Sequence, residues 1–241
     1  MAHRLLALTA LIASASCTAT YDPDQYEGGI DGYWQSVGTL ICNAQEPCCG
    51  TGAGLPTDIC IAAFDVAFRE PIEFSKDDRL GFDPELAARN LDQIDALTAV
   101  CSPNVYNAVV GEGLLAILAG TKTEGEDCTP MDNTDLAAYQ QCLDGLSCQG
   151  NAAEGFRCSA TPLPPVGEPC ATYQCEPGAY CGLLAGAGDT CLDKLADRES
   201  CWVAEQCRSG LCVGANTMSM PPVQGRCDTP SRDDVYCIDA P

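Results

Sequence analysis

The chain has 241 residues, of which 34 are acidic, 12 are basic and 19 are cysteine, and its formal net charge at pH 7 is −22. Such an acidic surface repels a phosphate backbone, which argues against DNA or RNA as a partner. The sole histidine, His3, lies at the extreme N-terminus. A chain cut beyond it has no histidine base, which argues against Ser-His-Asp and Cys-His catalysis.

Residues 1–16 are predicted to be a secretory signal peptide. Arg4 supplies a charged start, an apolar core runs from Leu5 to Ala13, and small residues precede Cys17. The apolar core is shorter than the roughly 20 residues that a membrane-spanning helix needs, and no later run reaches that length.

Two cleavage sites overlap at the end of this signal. Ala13-Ser14-Ala15 fits ordinary cleavage, which would release a soluble secreted chain, whereas Ser14-Ala15-Ser16-Cys17 resembles a bacterial lipobox with Ser14 in place of the usual leucine. Parity favours a lipid on Cys17, because removing it from 19 cysteines leaves 18, an even number that can close a disulfide framework. The sequence therefore predicts membrane attachment through Cys17. Thr18 after the cysteine, by resemblance to lipoproteins of this kind, implies sorting to the outer membrane and display at the cell surface.

Residues 17–32 are predicted to be a flexible tether between the lipid and the folded domain. This segment contains proline, adjacent glycines and four acidic residues, and it has little apolar content with which to order itself.

Residues 33–124 are predicted to form a small, mainly α-helical domain that contains cysteines. Helical spacing recurs twice, in Trp34, Val37, Leu40 and Ile41, and again in Ile59, Ala62, Ala63 and Val66. The clearest helix starts at Asp83-Pro84-Glu85, which supplies a cap, a tolerated proline and an acid at the positive end of the dipole. It should run to about Val100, with an apolar face that leads to Cys101 and comprises Ala87, Leu91, Ile94 and Leu97.

Residues 125–241 are predicted to hold three small disulfide-rich repeats built from short β-hairpins and loops, at 125–160, 167–193 and 198–237. Each repeat has four cysteines: Cys128, Cys142, Cys148 and Cys158; Cys170, Cys175, Cys181 and Cys191; Cys201, Cys207, Cys212 and Cys227. A glutamate stands two residues before each first cysteine, at Glu126, Glu168 and Glu199. Glycines precede each third and fourth cysteine, which indicates turns that bring thiols together. Thr161 to Pro165 should form a stiff spacer that makes the repeats beads on a rod.

These residues carry a resemblance to a known group of proteins. The Glu-x-Cys starts, the Cys-x(4–5)-Cys spacings and the Gly-x(1–2)-Cys closures resemble the cysteine-rich repeats of Gram-negative bacterial lipoproteins and, more distantly, Dickkopf-type cysteine-rich domains. The resemblance covers Gly125 to Cys237, and Phe82 to Gly120 resembles the helical segment that precedes such repeats. It implies location and build more than activity.

The eighteen cysteines after Cys17 are predicted to form structural disulfides, with the pairing left open. The absence of a Cys-x-x-Cys knuckle and the export signal favour disulfides over zinc sites. Five of these cysteines precede Gly125 and thirteen follow it, so at least one disulfide joins the two regions if all pair, and Cys237 is the expected bridge. The set comprises Cys42, Cys48, Cys49, Cys60, Cys101, Cys128, Cys142, Cys148, Cys158, Cys170, Cys175, Cys181, Cys191, Cys201, Cys207, Cys212, Cys227 and Cys237.

No cofactor or metal site is predicted. Two acidic groups offer oxygen ligands for calcium, but neither follows an EF-hand loop, so a charged tether and a capped helix start are the preferred interpretations. The groups are Asp22, Asp24, Glu27 and Asp31, and Asp77, Asp78, Asp83 and Glu85.

The sequence predicts a non-enzymatic surface lipoprotein that serves as an interaction or display module for an unknown protein or glycan ligand. One alternative is a secreted inhibitor or ligand that binds through the loop Gly214 to Val223, which contains Met218 and Met220. Another is a carbohydrate-active enzyme, which would need two converging carboxylates. Trp202 beside Cys201 is expected to cover a disulfide, with a partner anchor as the alternative.

Overall fold

The computed structural model describes residues 28–50, 52, 54–131, 135–143, 145–151, 153–170, 174–182, 188–215 and 221–237. The signal, Cys17 and residues 18–27 lie outside the described residues. The predicted fold class is confirmed, because helices in the N-terminal part are followed by small antiparallel sheets, and nine disulfides crosslink the chain.

Helix α1 (Gly29–Cys49) is the longest element and begins earlier than expected. The prediction of a flexible tether was wrong for residues 29–32, which form its first turn. The reason is that Ile30 finds apolar partners and packs against the helical core. The stripe on α1 was predicted correctly, since Trp34, Val37 and Ile41 are buried.

Helix α2 (Thr57–Ala67) and the short helix α3 (Arg69–Ser75) follow. The prediction of a helix at α2 is confirmed, and Ala63 of its apolar set is buried, but Ile59 and Val66 of the same set are 41% and 55% exposed. On the buried side of α2, Cys60 forms a disulfide with Cys42 of α1, and the rings of Phe64 and Phe68 stack with their centroids 4.5 Å apart. These contacts fix the rotation of α2 about its axis.

Helix α4 (Pro84–Thr98) matches its prediction closely. Both the Glu85 and the Leu86 amides donate hydrogen bonds of 2.9 Å to Asp83 Oδ1, which is the expected N-terminal cap. Its apolar face is buried at Ala87, Leu91 and Ile94, and Cys101 lies against the same core.

Helices α5 (Val105–Val110) and α6 (Glu112–Ile117) complete the packing, and strands β1 (Leu80–Phe82) and β2 (Leu118–Gly120) pair antiparallel beside them. The short apolar segment from residue 113 to 120 is therefore part helix and part strand. A buried polar link crosses the core: the Tyr33 hydroxyl donates to Asn90 Oδ1 at 2.7 Å, and Asn90 Nδ2 donates to the Ala108 carbonyl. It satisfies groups that would otherwise be buried unpaired.

The three repeats follow as miniature sheets. The first holds helix α7 (Leu136–Gln140) and the hairpin of β3 (Ser147–Asn151) with β4 (Gly155–Ser159). The second pairs β5 (Ala179–Cys181) with β6 (Cys191–Asp193). The third has β7 (Ser200–Cys201), a 3-10 helix at Ala204–Gln206, β8 (Cys212–Val213) and β9 (Gly225–Cys227), with β9 between β7 and β8.

The C-terminal segment leaves the third repeat and returns to the helical core. Helix α8 (Arg232–Tyr236) packs against α1, and both Val235 and Tyr236 are buried in the core. The span of 198–237 expected for the third repeat therefore divides, because its sheet ends at Cys227 while α8 belongs with the helices.

Among the residues that the structure describes, no helix has both the length and the apolar character required to cross a bilayer.

Candidate functional site

The disulfide pairing is identical in the three repeats. The first cysteine always pairs with the third, and the second always pairs with the fourth. The pairs are Cys128–Cys148 and Cys142–Cys158, then Cys170–Cys181 and Cys175–Cys191, then Cys201–Cys212 and Cys207–Cys227. In each repeat the sulfurs of three cysteines lie within 4.8 Å of one another. These sulfurs are already bonded in pairs, so they are not thiolates and do not offer the ligands that zinc requires.

The disulfides are the main apolar core of each repeat. In the second repeat Cys170, Cys181 and Cys191 are fully buried, and they form the core cluster with Cys175 packed against it. A unit with so few large side chains depends on crosslinks for stability. The cysteines of the repeats are therefore structural rather than reactive.

Each repeat begins six residues before its first cysteine, earlier than the sequence indicated. This position is occupied by Lys122, Pro164 and Leu195 in the three repeats. In each repeat its carbonyl accepts a hydrogen bond from the amide of the residue after the second cysteine, with N···O distances of 2.9, 3.1 and 3.0 Å in repeat order. In the first and third repeats the amide of this residue also donates to the carbonyl of the residue before the second cysteine. Pro164 has no amide hydrogen, so the second repeat lacks this bond.

The spacer between the first two repeats is therefore part of a repeat. Pro164 belongs to the second unit, and the Thr161 carbonyl accepts a hydrogen bond from Gln149 of the first unit. Gln174 of the second repeat also donates to the Tyr139 carbonyl of the first. The expectation of beads on a rod is corrected, because neighbouring repeats contact one another directly.

A tight turn precedes each first cysteine, and in the first and third repeats the glutamate that the sequence marked bonds to this turn. The third residue of each turn has positive φ, at Gly125 (84°), Gly167 (92°) and Arg198 (74°). In the first repeat Glu126 Oε2 accepts hydrogen bonds from the Thr123 amide and hydroxyl, which together hold the pKa of Glu126 below its usual range. In the third repeat Glu199 Oε2 accepts from the Ala196 amide at 2.6 Å.

Sequence reasoning missed a glutamine directly before each second cysteine, at Gln141, Gln174 and Gln206. Gln206 is 3% exposed, and its Oε1 accepts hydrogen bonds from the Trp202 and Val203 amides at the start of the 3-10 helix. Gln141 is 1% exposed and donates to the Ala138 carbonyl at the end of α7. The Gln-Cys dipeptide, which occurs once in each repeat, was the signal in the sequence that could have identified these glutamines.

Three further disulfides tie the helical region together. Cys42–Cys60 and Cys48–Cys101 lie within it, and Cys49–Cys237 joins it to the C-terminal segment, which is the bridge expected of Cys237. The adjacent Cys48 and Cys49 have different partners and are two separate structural half-cystines.

Three of the carboxylates considered for calcium, those of Asp31, Asp77 and Asp83, bond to protein groups. Arg79 donates from Nε and Nη2 to Asp77 at 2.9 and 2.7 Å, and Asp83 caps α4. The arginine holds the pKa of Asp77 below its ordinary value. Asp31 forms an exposed ion pair with Lys76 at 2.5 Å. Asp22, Asp24 and Glu27 lie outside the described residues.

The two tryptophans have different surroundings. Trp34 is 4% exposed, and its indole donates to Ser75 Oγ at 2.7 Å, so it is part of the helical core. Trp202 is half-buried beside the buried Cys201.

A cleft of about 270 Å³ lies between the helical region and the third repeat. Its polar walls are Asn104, Asn107, Asp197, Arg208, Ser209 and Thr229. Pro103 and Pro230 also line it. No sequence motif pointed to this cleft, because its residues come from three separate segments of the chain.

Comparison with protein-family models, with curated proteins and with solved structures finds no match for this chain. The nine disulfides indicate an exported protein, since such crosslinks persist in oxidising compartments.

Proposed function

We propose that this chain is an exported surface lipoprotein, anchored to the bacterial outer membrane by a lipid on Cys17, that acts as a non-enzymatic interaction or display module. The observation that carries the proposal is the pairing of all eighteen later cysteines, which leaves Cys17 as the odd thiol. An odd cysteine directly after a signal peptide suits lipid attachment.

The composition supports a binding role rather than catalysis. After cleavage at Cys17 the chain contains no histidine, and its charge becomes 11 − 34 = −23. The repeats have their cysteines bonded and largely buried, which suits a durable module outside the cell. The ligand would be a protein or a glycan.

The test is intact mass and fractionation of the protein expressed in a Gram-negative host. The wild type is expected in the outer-membrane fraction, starting at a lipid-modified Cys17 with nine disulfides. Cys17→Ser should move the protein to the soluble fraction, whereas the control Ser16→Ala keeps the thiol and should stay membrane-bound. A soluble wild type that starts at Ser16 would contradict the lipid anchor.

The second candidate is a secreted ligand or inhibitor that binds through the loop Gly214 to Val223. Val213 directly precedes this loop and Val223 ends it, and the two side chains are 50% and 48% exposed, which gives the loop an apolar rim. Met218 and Met220 lie outside the described residues. Replacing residues 216–220 with Gly and Ser of equal length should abolish capture of a partner protein from the host surface while leaving the unfolding midpoint unchanged; unaltered capture would exclude this candidate.

A further inference from the structure

The cleft beside the third repeat is built from three separate segments of the chain. Asn104 and Asn107 lie at the start of α5, Asp197 and Arg208 belong to the third repeat, and Thr229 lies on the segment that returns to the helical core. The walls are therefore set by tertiary structure alone.

The C-terminal segment that contributes Thr229 to the cleft is attached to the helical core at its C-terminal end. Cys237 forms a disulfide with Cys49 of α1, and the buried Tyr236 donates from its hydroxyl to the Ser102 carbonyl at 2.9 Å. Burial raises the pKa of Tyr236 to about 12, so this donor keeps its proton. A site that is fixed before binding loses less entropy when a ligand arrives.

The groups in the cleft suit a ligand that both donates and accepts hydrogen bonds. Each asparagine amide offers two donors and an acceptor. Arg208 donates from Nε to the Lys194 carbonyl, and no other hydrogen bond of its guanidinium is found among the described residues. Asp197 accepts from the Thr229 hydroxyl through one oxygen. Ser209 Oγ is buried in the cleft wall and has no partner in the described part of the chain.

The charge and the apolar lining narrow the class of ligand. Asp197 and Arg208 give the cleft one charge of each sign, while the chain as a whole carries −22, which disfavours an anionic ligand. Pro103 and Pro230 supply the only rings in the described lining, so a flat aromatic ligand has no aromatic side chain to stack on, whereas the C–H faces of a sugar ring can pack against the prolines. The volume lies just below the usual 300–1,000 Å³ of small-molecule sites, which suits one or two sugar rings.

We propose that this cleft binds a short uncharged carbohydrate through its hydroxyl groups. The inference rests on the proposed interaction role and names the ligand class for it. Arg208 and the two asparagines donate to sugar hydroxyls, and the remaining oxygen of Asp197 accepts from them. Asp197 is the one carboxylate in the described lining, so the cleft lacks the acid pair that glycoside hydrolysis uses.

The test is saturation-transfer NMR and titration of the full mature protein with maltose, cellobiose and N,N′-diacetylchitobiose. At least one disaccharide should bind, and Arg208→Ala should weaken its binding about tenfold, as expected for loss of a hydrogen bond from a charged donor. Arg226→Ala is the matched control, because Arg226 is also an exposed arginine of the third repeat and lies outside the cleft lining. The control should bind like the wild type.

Three results would overturn the inference: no binding of any of the three sugars, equal loss in both arginine variants, or binding of free serine in preference to the sugars, which would assign the cleft to a zwitterion. Failure of the proposed lipid anchor is distinguishable from these results. Sugar binding is measured on purified protein, and Cys17 is not among the residues that line the cleft.

Discussion

Arg198 shows how one residue departs from the pattern of its repeat. Gly125 and Gly167 occupy the equivalent turn positions, and all three residues have positive φ. This conformation brings the Cβ of an ordinary residue too close to its own backbone, at a cost of about 1–2 kcal/mol, whereas glycine adopts it freely. The third repeat therefore carries local strain that the other two lack.

Replacing this arginine by glycine should stabilise the protein. Arg198→Gly removes the strain, offset in part by the greater freedom of glycine in the unfolded chain, and we expect a gain of about 0.5–1 kcal/mol in the free energy of unfolding. Guanidinium denaturation under oxidising conditions measures it. Arg226→Gly in β9 is the control and should destabilise by a similar amount, because strand glycines lose entropy and packing. A loss of stability in Arg198→Gly would contradict the strain.

The ion pair of Arg79 with Asp135 joins the helical region to the first repeat. Arg79 Nη1 and Nη2 donate to the two carboxylate oxygens of Asp135 at 2.8 and 2.6 Å. The side chain of Asp135 is 6% exposed, and it also accepts a hydrogen bond from the Met131 amide. These donors hold the pKa of Asp135 below its ordinary value of 3.8.

Removing the negative charge of Asp135 should make the stability of the protein less dependent on pH in the acidic range. A carboxylate with a lowered folded-state pKa stabilises the fold above its unfolded pKa, and the stabilisation is lost as the pH falls through the folded value. Asp135→Asn should therefore cost about 2 kcal/mol at pH 7, and the difference from the wild type should shrink progressively below about pH 4. Urea denaturation at several pH values measures it.

The control for this charge is Asp233, which pairs with Arg232 on the surface with both side chains more than half exposed. Asp233→Asn should change the stability at pH 7 by less than about 1 kcal/mol. A deficit in Asp135→Asn that persists unchanged at pH 2 would show that its carboxylate charge is not the stabilising feature.

Among the elements, the glutamate turn that opens each repeat has a built-in comparison. Glu199 accepts a hydrogen bond from the Ala196 amide, three residues earlier. In the second repeat the corresponding residue is Pro165, which has no amide hydrogen. Glu168 therefore cannot make the same bond, although its own amide still donates to the Pro165 carbonyl.

Alanine substitution should have different effects on stability at Glu199 and at Glu168. Glu199→Ala should lower the free energy of unfolding by about 0.5–1 kcal/mol, the usual value of one hydrogen bond, and Glu168→Ala should leave it nearly unchanged. Differential scanning calorimetry of the two variants detects the contrast. Equal melting temperatures would mean that the Glu199 side chain does not stabilise the turn.

At the scale of the whole molecule, the Cys49–Cys237 disulfide links the first helix to the C-terminal segment. Its two cysteines are 188 residues apart, and among the nine described disulfides it alone has neither cysteine buried. Loop entropy makes a long-range crosslink the most stabilising in principle, although the other disulfides already shorten the effective loop. Partial exposure also makes it the disulfide that an external thiol reaches first.

Removing this crosslink should loosen one end of the molecule. Cys49→Ser with Cys237→Ser is expected to cost about 2–4 kcal/mol and to speed hydrogen exchange of residues 228–237, because the packing of Val235 and Tyr236 and the Tyr236 hydrogen bond to Ser102 then hold α8 without a covalent link. Cys42→Ser with Cys60→Ser is the control, since that crosslink spans 18 residues and should leave exchange in α8 unaltered. Unchanged exchange of 228–237 in the first variant would disprove the role of the crosslink.

Local signals in the sequence were sufficient to predict the fold class. The cap at Asp83 and the apolar periodicity of α1 and α4 predicted helices, because these features act within a few residues. Cysteine parity and glycine placement likewise predicted a disulfide-rich region with turns before the third cysteines, where Gly145, Gly178 and Gly210 do have positive φ.

Only the tertiary structure decided which residues meet. On α2 the apolar spacing marked the buried Ala63 but also the exposed Ile59 and Val66, whereas the buried side includes Cys60, which is crosslinked to Cys42. The start of each repeat, the return of α8 and the candidate cleft all depend on contacts between distant segments. Such contacts leave no periodic trace in the sequence, because the energies that select them arise from packing and crosslinks formed after the chain has folded back on itself.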